Sequence, residues 1–388
     1  MSVDDPSALY LGLISGTSAD SIDAALVSFS DGSPRVVATH THAWPAALRE
    51  RMLGLAQGEL ALDLDAFGRL DVEIGGCFAD AALQLLERSG TSPSSVRAIG
   101  SHGQTLRHRP TGEYPFTLQV GDPSVIAERC KIDVVADFRR ADIAAGGQGA
   151  PLLPALHAML LSRPGHSRVV LNLGGIANIT VLAADGRVQG FDTGPANGLL
   201  DAWGLRHRGE PFDRDGAFAA SGKVDHDLLD ALMADSYFAL LPPKSTGREH
   251  FHMNWLATHS RLAAVSVVDV QATLLELTAR TVAGAITQHA ATAEDVLVCG
   301  GGTHNGAMMR RLTELLAPRI LRSIAEVGID PDFIEASAFA WLARQRLLGL
   351  PGNLPAVTGA QGSRVLGAIY SAPASGSSSS PRVFSGAN

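Results

Sequence analysis

Apolar residues in this chain come in short runs separated by glycine-bearing turns, and these runs alternate with longer stretches of helical period. Leu9–Ile14 and Ile22–Phe29 flank the turn Ser15–Ser21 and predict a tight β-hairpin. Arg35–His42 predicts another strand, and Leu62–Arg88 a long helical pattern broken at Gly75-Gly76. Ala98–His102, Thr117–Val120 and Ile132–Ala136 read as short strands, with Asp122–Cys130 a helix capped by Asp122. The glycine-rich break Gly146–Pro151 follows. Beyond it Val169–Leu171 runs into Asn172-Leu173-Gly174-Gly175, Ile179–Leu182 returns, and the turn Asp185-Gly186 leads to Val188–Phe191. Asp192-Thr193-Gly194-Pro195 follows that strand, and Asn197–Trp203 starts a helix. Asp225–Ala234 and Val267–His289 are helical in period. Between them Pro242–Ser245 is extended, and Thr246-Gly247-Arg248-Glu249 has the spacing of a capping box for a helix running on to His259. Val296–Val298, the loop Cys299–Gly306 and Ala307–Leu316 make strand, glycine loop and helix, and Glu335 opens a last helix holding Phe339, Trp341 and Leu342.

At 388 residues the chain is long enough for two domains with cores of their own. Residues 1–145 are expected to form a first lobe, rejoined by about 350–370, and 146–349 a second; Ser371–Asn388 is serine-rich and too poor in apolar area to fold. With 46% hydrophobic and 18% charged residues the composition is that of a globular protein. A formal charge of −8, without long runs of either sign, argues against nucleic acid as a partner. Cys77, Cys130 and Cys299 form no C-x-x-C pair, which fits a reducing compartment. The acidic start MSVDDPSAL lacks a signal-peptide core and no apolar run would span a bilayer, so a cytoplasmic protein away from membranes is expected.

The chemistry is concentrated in the turns. Glycines let a backbone N–H approach a phosphate because no Cβ intervenes. In the first hairpin Gly16, Thr17, Ser18, Ala19, Asp20, Ser21, Ile22 and Asp23 combine small residues, hydroxyls and carboxylates, a set suited to phosphate and Mg²⁺, with Asp20 holding the metal through water. The second hairpin offers Asn172, Gly174, Gly175 and Asn178, and Asp192 beyond it. Gly300, Gly301 and Gly302 suit a nucleotide passing close to the backbone. They match neither the G-x-G-x-x-G fingerprint nor a Walker loop. All of these residues also make ordinary turns, and spacing alone leaves both readings open. His102 and Gln104, in a polar quartet at a strand end, suit a sugar hydroxyl or a hydrogen-bonded loop equally well. Lys244 and Arg248 stand as cations beside the expected helix start.

Two such hairpins and a late glycine loop resemble the sugar kinase, Hsp70 and actin superfamily. The segments GLISGTSADSIDAALV (12–27), SHGQT (101–105), LQVGD (118–122), VADFRRADIAAGGQGAPLLP (135–154), NLGGIAN (172–178), DTGPANGLLD (192–201), PPKSTGREHF (242–251) and EASAFAWLA (335–343) resemble the anhydro-N-acetylmuramic acid kinases, in order, over roughly Leu9 to Ile369. Ser21 and Ala196 stand where that family usually has glycine. The resemblance implies an α/β, two-lobed actin-like ATPase fold with a nucleotide and sugar cleft between the lobes, and two similar halves, although no motif repeats. It implies ATP and Mg²⁺ as cofactors and 1,6-anhydro-N-acetylmuramic acid as substrate, opened by water and phosphorylated at O6 in peptidoglycan recycling. Asp192 would deprotonate the water, Glu335 would help position the sugar, and His102, Gln104, Asp137, Arg140 and Lys244 would contact it. A homodimer is a candidate assembly. Three rivals share the hairpins. An Hsp70-like ATPase needs a substrate domain after the nucleotide domain, where only the Ser-rich tail stands; an actin-like filament would polymerise with ATP; a polyphosphate phosphatase would need no sugar.

Overall fold

A computed structural model describes residues 7–16, 19–30, 34–57, 60–247 and 250–373. Thr17, Ser18, Arg248, Glu249 and most of the serine-rich tail lie outside the described residues. In chain order the first half comprises β1 (Leu9–Ile14), β2 (Ser21–Ser28), β3 (Arg35–Ala43), α1 (Ala46–Gln57), α2 (Leu64–Ser89), β4 (Val96–Ser101), β5 (Gln104–Arg109), β6 (Phe116–Val120), α3 (Pro123–Cys130), β7 (Val134–Ala136) and α4 (Leu153–Leu161). The second comprises β8 (Arg168–Leu173), β9 (Ile176–Leu182), β10 (Val188–Pro195), α5 (Asn197–Arg208), α6 (His226–Met233), α7 (Val267–His289), β11 (Asp295–Cys299), α8 (Gly306–Leu316), β12 (Ile320–Ser323), α9 (Ile334–Leu348) and β13 (Ala368–Tyr370), with short helical turns between.

Apart from the pair β5-β6, the strands form two sheets with one plan. The order β3-β2-β1-β4-β7 in the first is matched by β10-β9-β8-β11-β12 in the second, and β13 adds itself outside β7. In each, an antiparallel hairpin feeds a third antiparallel strand on one side, while parallel strands complete the other. The two similar halves are therefore present as topology although no motif repeats.

Burial explains the layering. Leu48, Leu70 and Ile126 of α1, α2 and α3 pack on the outer face of the first sheet, and Trp203, Leu228, Leu274 and Leu312 of α5 to α8 on that of the second. The inner faces share one core: Tyr10 and Val27 from the first sheet, Val170 and Leu297 from the second, with Leu156 of α4 and Phe339 of α9 between. The result is the two-lobed actin-like ATPase architecture.

Several expectations need correcting. Gly75-Gly76 does not interrupt α2. A Cβ on Gly75 would stand 2.7 Å from the Asp122 carbonyl oxygen, so this glycine lets helix and loop touch. The chain also rejoins the first lobe before residue 350: α9 packs on β1, β2 and β4, and Gly12 and Gly100 meet its backbone without a Cβ between. Arg248 and Glu249 of the supposed capping box lie outside the described residues, and among the described ones no helix covers Thr246, Gly247, His250 or Phe251. Phe251 stacks on Phe238 instead, and helix resumes only at Met253–Ala257, where His252 Nδ1 accepts the N–H groups of Asn254 and Trp255. Among the described residues no helix is long and apolar enough to cross a membrane.

Candidate active site

The second hairpin turns at Gly174-Gly175, so the last residues of β8 and the first of β9 face each other. Asn172 lies opposite Asn178, and Asn178 opposite Asp192, one rung across three antiparallel strands. Directly opposed residues in antiparallel strands project from the same face. A bulge between Asp192 and Gly194 carries β10 on to Pro195, so Asp192 lies within the strand rather than after it. Its backbone N–H donates to Lys244 O at 3.2 Å, and its carbonyl accepts the Tyr237 hydroxyl at 2.8 Å. Its Oδ2 accepts the Thr246 N–H at 2.9 Å, fixing the carboxylate's direction. Tyr237 carried no sequence signal beyond an aromatic in a loop.

Among the described residues of the first hairpin the left-handed position is Ala19, at φ 48°, while Ser21 starts β2 without positive φ; serine there carries no backbone strain. Ala196 likewise has negative φ, −133°. Asp23 sits opposite Ile14 and accepts the hydroxyls of Ser21 (3.2 Å) and Thr41 (3.0 Å). Asp20 forms an ion pair with Arg49 at 2.7 Å, which engages one of its carboxylate oxygens. Gln104, expected to meet substrate, donates to Gly16 O at 3.1 Å and braces the turn.

Glu335, in the first turn of α9, lies between the hairpins, where its Oε1 accepts from Asn172 Nδ2 at 3.2 Å. Burial pushes its carboxyl above the ordinary range and the nearby Asp23 adds to the rise, while Asn172 and Arg139 oppose it. Asp23 is raised as well, by burial first and then by Asp332 and Asp20. These carboxylates repel one another at a point between the two turns.

Arg139 is the residue that sequence reasoning missed. Its Nε and Nη2 donate to His102 Nε2 at 3.0 and 2.9 Å, and Nη1 donates to Gly149 O at 2.8 Å. His102 Nδ1 meets Gly103 O at 2.9 Å, which fixes the Nδ1–H tautomer, and burial beside Arg139 holds the imidazole neutral. Burial draws the Arg139 guanidinium down to about 10, against Glu335, Asp142 and Asp192, and it stays charged at neutral pH. Asp137 and Arg140, named from the sequence, pair with each other at 3.3 Å beside Tyr370. Asp137 is left-handed, at φ 62°, so the alternation of β7 does not continue through it.

Gly300, Gly301 and Gly302 fold onto the end of β8, where a Cβ on Gly302 would come 3.0 Å from Leu173 O; beside Gly301 the space is open. Asn197 Nδ2 also donates to Leu173 O, at 2.9 Å. Arg248 and Glu249, in the helix start expected beside Lys244, lie outside the described residues. Its Nζ donates to Tyr237 O at 3.2 Å and sits 4.6 Å from the centre of the Tyr237 ring. Next to Thr246 a cleft of ≈ 440 Å³ separates the end of β5 from residues 240–246.

A profile described as anhydro-N-acetylmuramic acid kinase matches residues 8–372. The anhydro-N-acetylmuramic acid kinase of Xanthomonas campestris pv. campestris (strain 8004) is 57% identical over 369 residues, 94% of this chain and 98% of that one. Its namesake from Xylella fastidiosa (strain Temecula1 / ATCC 700964) is 52% identical over 372 residues, 95% and 97% of the two chains. That of Coxiella burnetii (strain Dugway 5J108-111) is 48% identical over 367 residues, 94% and 98%. Likeness to solved structures is remote: a ROK family glucokinase from Streptomyces griseus in complex with glucose and AMPPNP is 14% identical, with a TM-score of 0.40 over 87% of this chain and 100% of that one, and the fold rests on the strand orders themselves. With nearly the whole chain matched and a carboxylate held beside two glycine turns in a two-lobed fold, this chain belongs to the anhydro-N-acetylmuramic acid kinase family.

Proposed function

We propose that this kinase uses water to open the 1,6-anhydro bridge of 1,6-anhydro-N-acetylmuramic acid and places the γ-phosphoryl group of ATP on O6. The products are N-acetylmuramic acid 6-phosphate and ADP, in the cytoplasmic recycling of peptidoglycan and catabolism of amino sugars. The observation that carries this reading is the shared rung of Asn172, Asn178 and Asp192, which sets an acid and a glycine turn on one sheet edge.

The residues fit the nucleotide. Gly300 and Gly302 pack closely on Asn172 and Leu173, where a Cβ would come within 2.4 Å of Asn172 Oδ1 and Leu173 Cβ, and Gly301 opens on free space that a side chain would fill. They also fit Mg²⁺ carried by the phosphates. Among the described residues no three ligands converge, as a site of all-protein ligands would need, but Asp23, Glu335 and Asp20 gather negative charge that a cation relieves. Bound there, the ion would neutralise charge on the phosphate oxygens. Asp23 and Asp20 would hold its waters, with Asp20 sharing its carboxylate with Arg49.

Asp192 takes the proton of the attacking water as the new C1–O bond forms. The C1–O6 bond breaks with its electron pair going to O6, O6 bonds to the γ-phosphorus, and the bond to ADP breaks. Thr246 N–H aims the carboxylate, and Lys244 and Arg139 lie within electrostatic reach of it. Arg139, held by neutral His102 as acceptor, keeps guanidinium N–H groups to present on the first-lobe side, where Glu335 accepts from Asn172 of the second hairpin. Lobe closure would exclude bulk water from these steps. The test is incubation with ATP, Mg²⁺ and the anhydro sugar in oxygen-18 water, followed by mass spectrometry. The expected product is the sugar 6-phosphate with label on the anomeric hydroxyl. Label on phosphate, or ADP release without a sugar phosphate, would overturn the reading.

A further inference from the structure

The segment Ser236–Gly247 surrounds Asp192 with backbone and side-chain contacts. The Tyr237 hydroxyl donates to Asp192 O at 2.8 Å, Lys244 O accepts the Asp192 N–H at 3.2 Å, and the Thr246 N–H donates to Asp192 Oδ2 at 2.9 Å. Lys244 Nζ turns back to Tyr237 O at 3.2 Å, which ties the middle of the segment to its start. The two ends meet on a second carboxylate, Asp235. Its Oδ1 accepts the Tyr237 N–H at 2.9 Å on one side. Its Oδ2 accepts His250 Nε2–H at 3.0 Å and Trp255 Nε1–H at 2.8 Å on the other. The Asp235 side chain is only 13% exposed. Burial alone would raise its carboxyl, but the bonds from His250, Tyr237 and Trp255 outweigh burial and keep it ionised at neutral pH.

Aromatic contacts also draw the two ends together. Phe251 stacks on Phe238 with ring centres 5.6 Å apart and meets Trp255 edge-on at 5.0 Å. Such contacts bring elements close with a loose choice of angle, whereas hydrogen bonds to one charged acceptor also fix direction. We infer that Asp235 is a positioning residue for the reaction at Asp192: by fixing both ends of the segment it holds the Thr246 N–H and the Lys244 side chain against the Asp192 carboxylate. The inference rests on Asp192 as the base and traces the base's aim to a carboxylate that takes no proton itself. An N–H bond and a nearby cation both favour the ionised form of a carboxylate. Of the ionisable groups that feel the Asp192 charge, Lys244 and Tyr237 belong to this segment and Arg139 to the first-lobe side. Slackening the segment therefore withdraws the Thr246 bond and the Lys244 charge while Arg139 stays.

The measurement is the pH profile of kcat/KM for the anhydro sugar at saturating ATP, whose acid limb reports the base in the sugar-free enzyme. It is taken in wild type, Asp235→Ala, His250→Ala and His250→Gln, with KM for ATP alongside. Asp235→Ala should lower kcat about 10- to 100-fold, the cost of a misaimed group. It should also raise the acid limb by about 1 pH unit and leave KM for ATP unchanged. His250→Ala should move both quantities the same way by less, and His250→Gln, whose amide keeps an N–H for Asp235, should return toward wild type. An acid limb at the wild-type pH in Asp235→Ala, whatever its rate or melting temperature, would overturn the inference and leave Asp235 a structural residue. Where Asp235→Ala fails to fold the His250 pair decides, and a wild-type profile in His250→Ala overturns the inference equally. Asp192→Asn separates this role from the proposed reaction. An inactive Asp192→Asn with an unshifted Asp235→Ala removes the positioning role alone, whereas an Asp192→Asn at near-normal rate removes the base and the positioning role together.

Discussion

Replacing Asp192 with asparagine isolates the proton-transfer role from the architectural one. The backbone bonds at this position, N–H to Lys244 O and carbonyl from Tyr237, do not involve the side chain. The asparagine carbonyl can still accept the Thr246 N–H that Oδ2 now takes at 2.9 Å. The loss at that bond is therefore the difference between a charged and a neutral acceptor, about 1 kcal/mol. A general base contributes ~10²–10⁴-fold in rate, or about 2.7–5.4 kcal/mol of barrier at 1.36 kcal/mol per decade. The larger effect should fall on kcat, and a melting curve should move by only a few degrees. Calorimetry should show ATP and sugar still binding, while both bridge opening and phosphorylation fall together. A variant within tenfold of wild type, or one that opens the bridge without transferring phosphate, would refute Asp192 as the base.

Gly75→Ala should destabilise by about 1–3 kcal/mol, the opposite sign to the ~1 kcal/mol that alanine normally gains over glycine inside a helix. The cause is the Asp122 backbone, 2.7 Å from the new Cβ, and urea denaturation reads the result; a stabilised variant would mean that α2 and the loop separate at little cost. Glu335→Gln tests electrostatics. A carboxyl raised in the fold binds its proton more tightly there than in the unfolded chain, so its charge costs stability above the ordinary glutamate range and the cost fades as pH falls through it. The ligand-free variant should melt above wild type at pH 7.5 and level with it near pH 4, while losing turnover; a lower melting point at pH 7.5 would refute this. Asp142→Ala strips the acceptor from Asn353 Nδ2 (2.6 Å), Thr358 Oγ (2.7 Å) and Gly149 N (2.7 Å), all buried. It should cost at least about 3 kcal/mol and raise KM for the sugar through Arg139, which leans on Gly149; Asp142→Asn should recover part of both, and equal KM values in all three proteins would break the link.

The two hairpins were legible because each is an apolar run, a small-residue turn and a second apolar run, a pattern that needs no distant partner. The place of Asp192 at the end of an apolar run was legible for the same reason, though the bulge that keeps it inside β10 was not. β5 (QTLRHR) has no apolar alternation and is a strand because β6 pairs with it. Helix α4 (LPALHAMLL) is apolar on nearly every side because it lies between two sheets, which erases the one-sided stripe that marks a surface helix. That Arg139 meets His102 while Arg140 pairs with Asp137 goes with a single left-handed residue, Asp137, which period-2 counting cannot anticipate. Half of the supposed capping box lies outside the described residues, and just beyond it Phe251 stacks on Phe238, a contact that spacing alone does not reveal.

Because α9 comes from the far end of the chain yet rests on β1, β2 and β4, Glu335 rides with the first lobe, while its partner Asn172 is anchored in the second. The 3.2 Å contact between them thus bridges the two sheets, and any movement of one against the other would change its length. An isotope-labelled carboxyl at Glu335 should report each half-turn of the catalytic cycle in its vibrational frequency, without a probe attached to either lobe.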